Sequence, residues 1–394
     1  MNDLTTRILD LAIAIQQIPA PTFHEQARAE FVRTRFIDEG LAGVKMDEAG
    51  NVYGLLAGSG HEEASVISAH LDTVFPPNVD LHFERQPGSR AKSGTPAPRA
   101  GTGTTARIVG PGIGDNSLGV AGLFGLVWAL RERNLRLPGD LWLVANVCEE
   151  GLGDLRGMRA VVDHFEKTLS RAGTRITPLA YIVVEGLGLG QIYHRGLGVR
   201  RTRITMRTPG GHSWINYGQP SAIHELVALA THITALKLPR SPRTTLNIGI
   251  ISGGSSVNTI AAEAMLELDL RSERLETLEA ATSQVDQIVE AVKKRGVTVE
   301  SEIIGERPFG ELAAEHPLVR LAEDCLRAAG VEPHLSNGST DANLPLSRGL
   351  PAIAIGLTSG GRAHSVDEYI NVEPLEKGME QLIRLVSKVW GARA

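Results

Sequence analysis

Cysteine and aromatic side chains are scarce in this chain of 394 residues: two cysteines, Cys148 and Cys325, and 4 % Phe, Trp and Tyr combined. Two thiols give no disulfide framework. The four tryptophans and five tyrosines form no stacking pattern, and the formal charge of −5 leaves no basic patch, so nucleic acid is excluded as a partner. No apolar run is read as approaching the ~18 residues a membrane helix needs. The N-terminal stretch MNDLTTRILDLAIAIQQIPA lacks a basic segment followed by a continuous apolar core, so a cytoplasmic protein is expected. Internal repeats and sustained heptads are missing as well. What remains is an ordinary globular composition, 42 % hydrophobic and 22 % charged, with length enough for two domains.

Helical spacing over 3–18 and 24–40 is followed by strand-like runs at 52–58, 64–74, 140–148 and 179–184, with a very apolar helix near 118–132 between them. This alternation predicts an α/β fold, a mixed sheet flanked by helices. After RGLGVR the order becomes strand (199–207), helix (220–237), two strands (244–252, 262–271), helix (275–294) and strand (297–304). That β-α-β-β-α-β order predicts an inserted ferredoxin-like domain over 198–305, leaving 1–197 and 306–394 as one discontinuous domain. A helix near 315–330 and a strand at 351–357 complete the larger one. Residues 78–108, rich in Gly, Pro, Ser and Thr, cannot bury enough to form core and are expected as an exposed loop or extended hairpin.

Chemistry enters at AHLDTVFP, residues 69–76, where His70 and Asp72 lie two apart at the end of a buried strand. Such spacing suits a metal ligand and the carboxylate that orients it. Alone the pair is weak, but Asp115 in GIGDNSLG, the pair Glu149-Glu150 in NVCEEGLG, Glu185 in IVVEG and His364 in GGRAHSVDE each adjoin an apolar run or a glycine-rich turn. Taken singly, each is a solvated carboxylate or a surface histidine. Jointly they make five oxygen and nitrogen ligands plus a spare glutamate, the donor set of a two-metal site. Asp115, one glutamate of the pair, Glu185 and a hydroxide would balance the four charges of two divalent cations. Neighbouring glutamates on a regular strand point to opposite faces, so the chain must bend at Glu149-Glu150, and Gly151 and Gly153 permit the bend. One glutamate can then bind metal while the other takes a proton from an activated water. Cys148 reads as a buried strand residue rather than a ligand. His334 is the rival of His364 for the last ligand; His364 is preferred because it follows a buried strand closely.

On these motifs the chain resembles, over nearly its whole length, the co-catalytic zinc peptidases and deacylases typified by carboxypeptidase G, aminoacylase, succinyl-diaminopimelate desuccinylase and peptidase T. The resemblance implies that His70, Asp115 and Glu185 hold one metal and Asp115, Glu150 and His364 the other, with Asp115 bridging. It further implies Asp72 as the partner behind the first site, Glu149 as general base, and a cis peptide after Asp115. The inserted domain would then be a lid and dimerisation domain, and the protein a homodimer. His212, in PGGHSWINYG, would reach across the dimer interface to the tetrahedral oxyanion. Asn258 and Arg271 resemble residues that bind a substrate carboxylate or carbonyl. Ser339 and Thr340, in NGSTDANLP, resemble a substrate-side loop, with helix capping as the ordinary alternative. Zinc is the default metal, although such ligands also accept manganese or cobalt.

The sequence therefore predicts a metal-dependent amide hydrolase acting on small substrates. The wording GGHSW with STDAN is most like the peptidase T branch, which implies di- or tripeptides. Glu185 points to the runner-up, an N-acyl-amino-acid deacylase or carboxypeptidase, because aspartate there is expected to accompany aminopeptidases. A non-catalytic metal- or peptide-binding homologue is the reading of another class, and Glu149 argues against it. A structural zinc protein is disfavoured by carboxylates where thiolates are preferred.

Overall fold

The computed structural model describes residues 3–88, 106–167, 177–293 and 296–392. The chain divides into two compact units, Met1–Arg195 with Glu311–Ala394, and Gly196–Gly310.

The larger unit is built on a mixed nine-stranded sheet. Its central strands run in the order Val52–Leu56, Gly139–Asn146, His61–His70, Tyr181–Glu185 and Ala352–Gly356, and the last four are mutually parallel. Strands covered on both faces should carry apolar residues towards both, and these do: Ile67, Leu143, Ile182 and Ile353 belong to one core cluster, while Val66, Val144, Tyr181 and Ala352 belong to another. Helices Asp3–Gln16, Gly119–Glu132 and Leu375–Lys388 contribute to the first cluster, and Arg156–Lys167 to the second. The sheet therefore has helices on both faces.

One expectation needs correcting. Ile113–Glu132 is long and apolar enough to cross a membrane by length and composition, yet 94 % of its apolar window is buried inside the protein. Every residue from Gly119 to Leu130 is buried, which explains an apolar character all the way round the helix.

Parallel pairing matters because it collects the carboxyl ends of four strands at one edge. His70 lies opposite Asn146, and Gly356 opposite Glu185. The segments leaving these ends carry the candidate ligands, as expected for an open α/β sheet. The short strands Glu84–Gln86 and Arg107–Val109 pair antiparallel, and the latter pairs with Tyr369–Asn371, so the excursion expected over 78–108 has a hairpin base. Residues 89–105 lie outside the described residues.

In the smaller unit the strands Thr298–Arg307, Gly198–Arg207, Glu263–Ser272 and Thr244–Gly253 form one antiparallel sheet in that order. Helices Ala222–Thr234 and Leu275–Ala291 bury Leu226, Leu229, Ile233, Leu278, Val285 and Val289 in the same core as Ile204, Leu266 and Leu268. This is the ferredoxin-like topology that the element order predicts. A two-stranded ribbon, Gly211–His212 with Thr259–Ile260, stands beside it.

Candidate active site

His70, the last residue of its strand, is 2 % exposed. Its Nε2 lies 3.1 Å from Asp115 Oδ1 and 3.6 Å from Glu185 Oε2. His364, half exposed, places Nε2 3.1 Å from Asp115 Oδ2 and 3.0 Å from Glu150 Oε1. Asp115 thus offers one oxygen to each imidazole. Each ring nitrogen faces two carboxylate oxygens, and a single proton can hydrogen-bond fully to one of them, whereas a divalent cation can be ligated by both carboxylates and by the neutral imidazole together. The donor atoms of His70, Asp115 and Glu185, and those of Asp115, Glu150 and His364, lie within 4.8 Å of one another in each set. A third set, His70 with Glu149 and Glu150, meets the same limit. The residues present fit two hard or borderline divalent ions.

The turn that presents both glutamates differs in detail from expectation. Cys148, not only a glycine, takes a left-handed conformation (φ 57°), and Gly151 follows with φ 50°. Asp72 fixes the result: its Oδ1 accepts the Glu149 amide at 2.9 Å, and its Oδ2 accepts the Glu150 amide at 2.8 Å and the Thr22 hydroxyl at 2.9 Å. Asp72 also lies 3.5 Å from His70 Nδ1, but its own carbonyl oxygen is closer to that nitrogen, at 3.1 Å. It therefore orients His70 and holds the glutamate turn together. Cys148 is buried and its thiol is pushed up to about 12 by burial, as a neutral non-ligand should be.

Three further buried residues hold this geometry, and nothing in the sequence around them gave their roles. Glu368, fully buried, accepts the amides of Gly114 and Asp115 at 2.7 and 2.8 Å. Asn116, also fully buried, donates to the Val184 carbonyl and accepts the Gly186 amide, both at 2.9 Å, which ties the Asp115 loop to the strand bearing Glu185. The approach is close: a Cβ on Gly186 would lie 2.1 Å from the Gly114 carbonyl oxygen. The peptide between Asp115 and Asn116 is cis. Asp341, fully buried, accepts from Asn146 Nδ2 at 2.7 Å, and burial pushes its carboxyl up to about 7. Its position beside Ser339 and Thr340 was the available hint.

The substrate-side residues are brought together only in part. Thr340 shapes the turn before the helix Asn343–Ser347, accepting the Ala342 amide through Oγ1 while its own amide donates to Asn343 Oδ1. His212 and Asn258 are neighbours, since Ser213 donates its amide to the Asn258 carbonyl at 3.0 Å. His212 Nδ1 accepts the amides of Trp214 and Ile215 at 3.2 and 3.4 Å, which leaves Nε2 carrying the proton in the neutral ring. Arg271 lies at the far end of Glu263–Ser272, about 27 Å along a strand rising ~3.4 Å per residue. There its guanidinium donates to both oxygens of Asp269, at 2.7 and 3.2 Å. Three further histidines behave as ordinary side chains: His316 caps a helix, His164 packs on Tyr53 and Phe165, and His334 is exposed at a strand start.

Charge is distributed as a cation site requires. Hydrogen bonds to Asp115 and Glu150 raise the pKa of His364 to about 10. Burial opposes charge on His70, but its bonds to Asp115, Asp72 and Glu185 outweigh burial and raise it too. Burial raises Glu185, against the pull of His70. For Asp115 burial is outweighed by the two histidines, which hold it below the carboxylate range. The folded pKa of His364 exceeds the ~6.5 of an unfolded histidine. Its stabilising contribution is therefore complete below about pH 6.5 and is lost as pH rises towards about 10. Metal-stripped protein should show a falling melting temperature across that window, and metal-loaded protein a flatter profile. Parallel profiles in scanning calorimetry would contradict the assignment.

Residues 66–388 match Peptidase family M20/M25/M40. The uncharacterized protein YqjE of Bacillus subtilis (strain 168) is 24 % identical over 401 residues, covering 97 % of this chain and 98 % of that protein. Acetylornithine deacetylase of Klebsiella pneumoniae (strain 342) is 26 % identical over 354 residues, covering 85 % and 82 %. In fold, the chain is similar to the crystal structure of aminopeptidase PepT from Bacillus cereus ATCC 10987, with a TM-score of 0.72 and 23 % identity over 98 % and 99 % of the two chains. With the family match spanning most of its length, and with the ligand geometry above, the chain belongs to Peptidase family M20/M25/M40 and is a metal-dependent hydrolase of peptide or amide bonds.

Proposed function

We propose that the protein is an exopeptidase for di- and tripeptides, of the peptidase T type, acting in the cytoplasm. The observation that carries this reading is Glu149: a buried carboxylate whose backbone is fixed by Asp72 beside two complete ligand sets. Two divalent ions, zinc by default, would be held by His70, Asp115 and Glu185 and by Asp115, Glu150 and His364, and would supply Lewis acidity to the scissile carbonyl and to water. Glu149 takes the proton of the attacking water on its carboxylate and returns it to the leaving amine nitrogen. His212, as the Nε2–H tautomer, donates to the oxyanion.

The separation of Arg271 from His212 and Asn258 supports a shared site. Arg271 lies ~27 Å along its strand from Glu263, a span far longer than a di- or tripeptide, and the segments carrying His212 and Asn258 leave from the Glu263 end. Arg271 of one chain would work with His212 and Asn258 of its partner in a homodimer. Ile250 and Ile251 on the edge strand, with Val227 on the adjacent helix, are each at least half exposed and suit burial against a second copy.

Glu185 favours the second reading, an N-acyl-amino-acid deacylase, and a deacetylase stands among the relatives. Hydrolysis of a mixed panel of di- and tripeptides and N-acyl amino acids, followed by mass spectrometry on metal-reconstituted protein, separates the two. The peptidase reading expects cleavage of free-amine peptides, with His212→Ala lowering kcat more than it changes KM. Cleavage confined to acylated amino acids would replace it with the deacylase.

A further inference from the structure

We propose that Glu25 is a positioning residue for the catalytic base, acting through the amide of Cys148. The proposal rests on the reading of Glu149 as the base and concerns Glu25 and Cys148, which belong to neither candidate ligand set.

Cys148 is the point at which the chain leaves the regular strand, and its left-handed backbone is one that residues other than glycine rarely adopt. Because side chains on a strand alternate, this turn is what lets Glu149 and Glu150 face the same site. Something must hold it. Glu25, 5 % exposed, does so with a single oxygen: Oε1 accepts the Cys148 amide at 3.1 Å, the Cys148 thiol at 3.5 Å and the Phe23 amide at 3.0 Å. The next two amides, of Glu149 and Glu150, end on Asp72. Three consecutive N–H groups of the turn are thus held by two buried carboxylates.

A second buried carboxylate beside Asp72 is unfavourable in itself, and burial followed by the Asp72 charge raises the pKa of Glu25. The segment carrying it is nevertheless anchored at several points. Thr73 donates its amide to the Ala20 carbonyl at 2.9 Å, and Thr22 donates its hydroxyl to Asp72. Arg28, 1 % exposed, donates to the Leu71 carbonyl at 2.7 Å and to the Ile18 carbonyl at 2.7 and 3.1 Å, placing a positive charge close to both carboxylates. The N-terminal segment therefore clasps the strand end bearing His70 and, through Glu25, the turn bearing Glu149. Without the acceptor the Cys148 amide is buried unpaired and its turn is free to relax. Small displacements of a catalytic group cost large factors in rate.

The test compares Glu25→Ala, Glu25→Asp and Glu25→Gln in metal-reconstituted protein, measuring kcat and KM on the best substrate of the panel, bound metal, and hydrogen exchange of the amides at 148–150. Glu25→Ala is expected to lower kcat about ten- to hundredfold with KM within about twofold, to retain both metals, and to speed exchange at 148–150 by about tenfold or more. Glu25→Asp withdraws the acceptor by about 1.5 Å and should behave similarly even if the alanine variant does not fold. Glu25→Gln keeps an oxygen acceptor and should rescue both kcat and exchange. Wild-type kcat and exchange in the aspartate variant, or a glutamine variant as impaired as it, would overturn the proposal. If the wild-type protein cleaves nothing in the panel, the hydrolytic reading fails by itself, and the exchange comparison still decides whether Glu25 holds the turn.

Discussion

Replacing Glu149 with glutamine is expected to lower kcat about a hundred- to ten-thousandfold while leaving metal content and melting temperature close to wild type. Glutamine preserves shape and the backbone bond to Asp72 Oδ1, so the turn should survive. It removes only the ability to take up a proton. The same substitution discriminates the role of Glu149 from that of Glu150, because Glu149 also lies within 4.8 Å of ligand atoms on His70 and Glu150. If Glu149 were a ligand instead of the base, metal content would fall together with activity. A variant that binds metal and retains full activity would remove Glu149 from the mechanism.

Asp115→Ala should remove both metals and reduce hydrolysis to the level of metal-stripped protein. Its two oxygens face different histidines, Oδ1 towards His70 and Oδ2 towards His364, and it belongs to both ligand sets. Loss of one outer ligand such as Glu185 should instead weaken one set. Metal analysis after dialysis, alongside circular dichroism to verify folding, checks this outcome. One ion retained per chain at wild-type affinity would show that Asp115 is not shared.

The candidate ligands were legible because each follows a strand or glycine-rich turn, and parallel pairing converts that local position into spatial proximity. His70 and Glu185 end their strands, while Glu150 and His364 lie in the segments that follow. The ferredoxin-like unit was legible because its element order and the apolar spacing of Leu275–Ala291 agree. Glu25 and Glu368 were not, and Asn116 and Asp341 were marked only as neighbours, one at the cis peptide after Asp115 and the other in the loop of Ser339 and Thr340. They act on the site across long sequence separations, such as 123 residues between Glu25 and Cys148 and 254 between Glu368 and Gly114, and no spacing rule reports such contacts. The helical stretch Ile113–Glu132 shows a related limit: burial on all sides produces the same composition as a membrane span, and only packing distinguishes them. Strands Ala42–Met46 and Gln191–Gly196 also escaped, the first short and mostly exposed, the second alternating buried with half-buried residues and carrying polar side chains.

Hydrolysis at this site is expected to require two metal ions per chain. Calorimetric titration of metal-stripped protein with zinc, with peptide hydrolysis assayed at each step, tests it most directly. Saturation is expected at two equivalents per chain, with activity emerging as the second set fills. Saturation at one equivalent with full activity, or no binding at all, would contradict it.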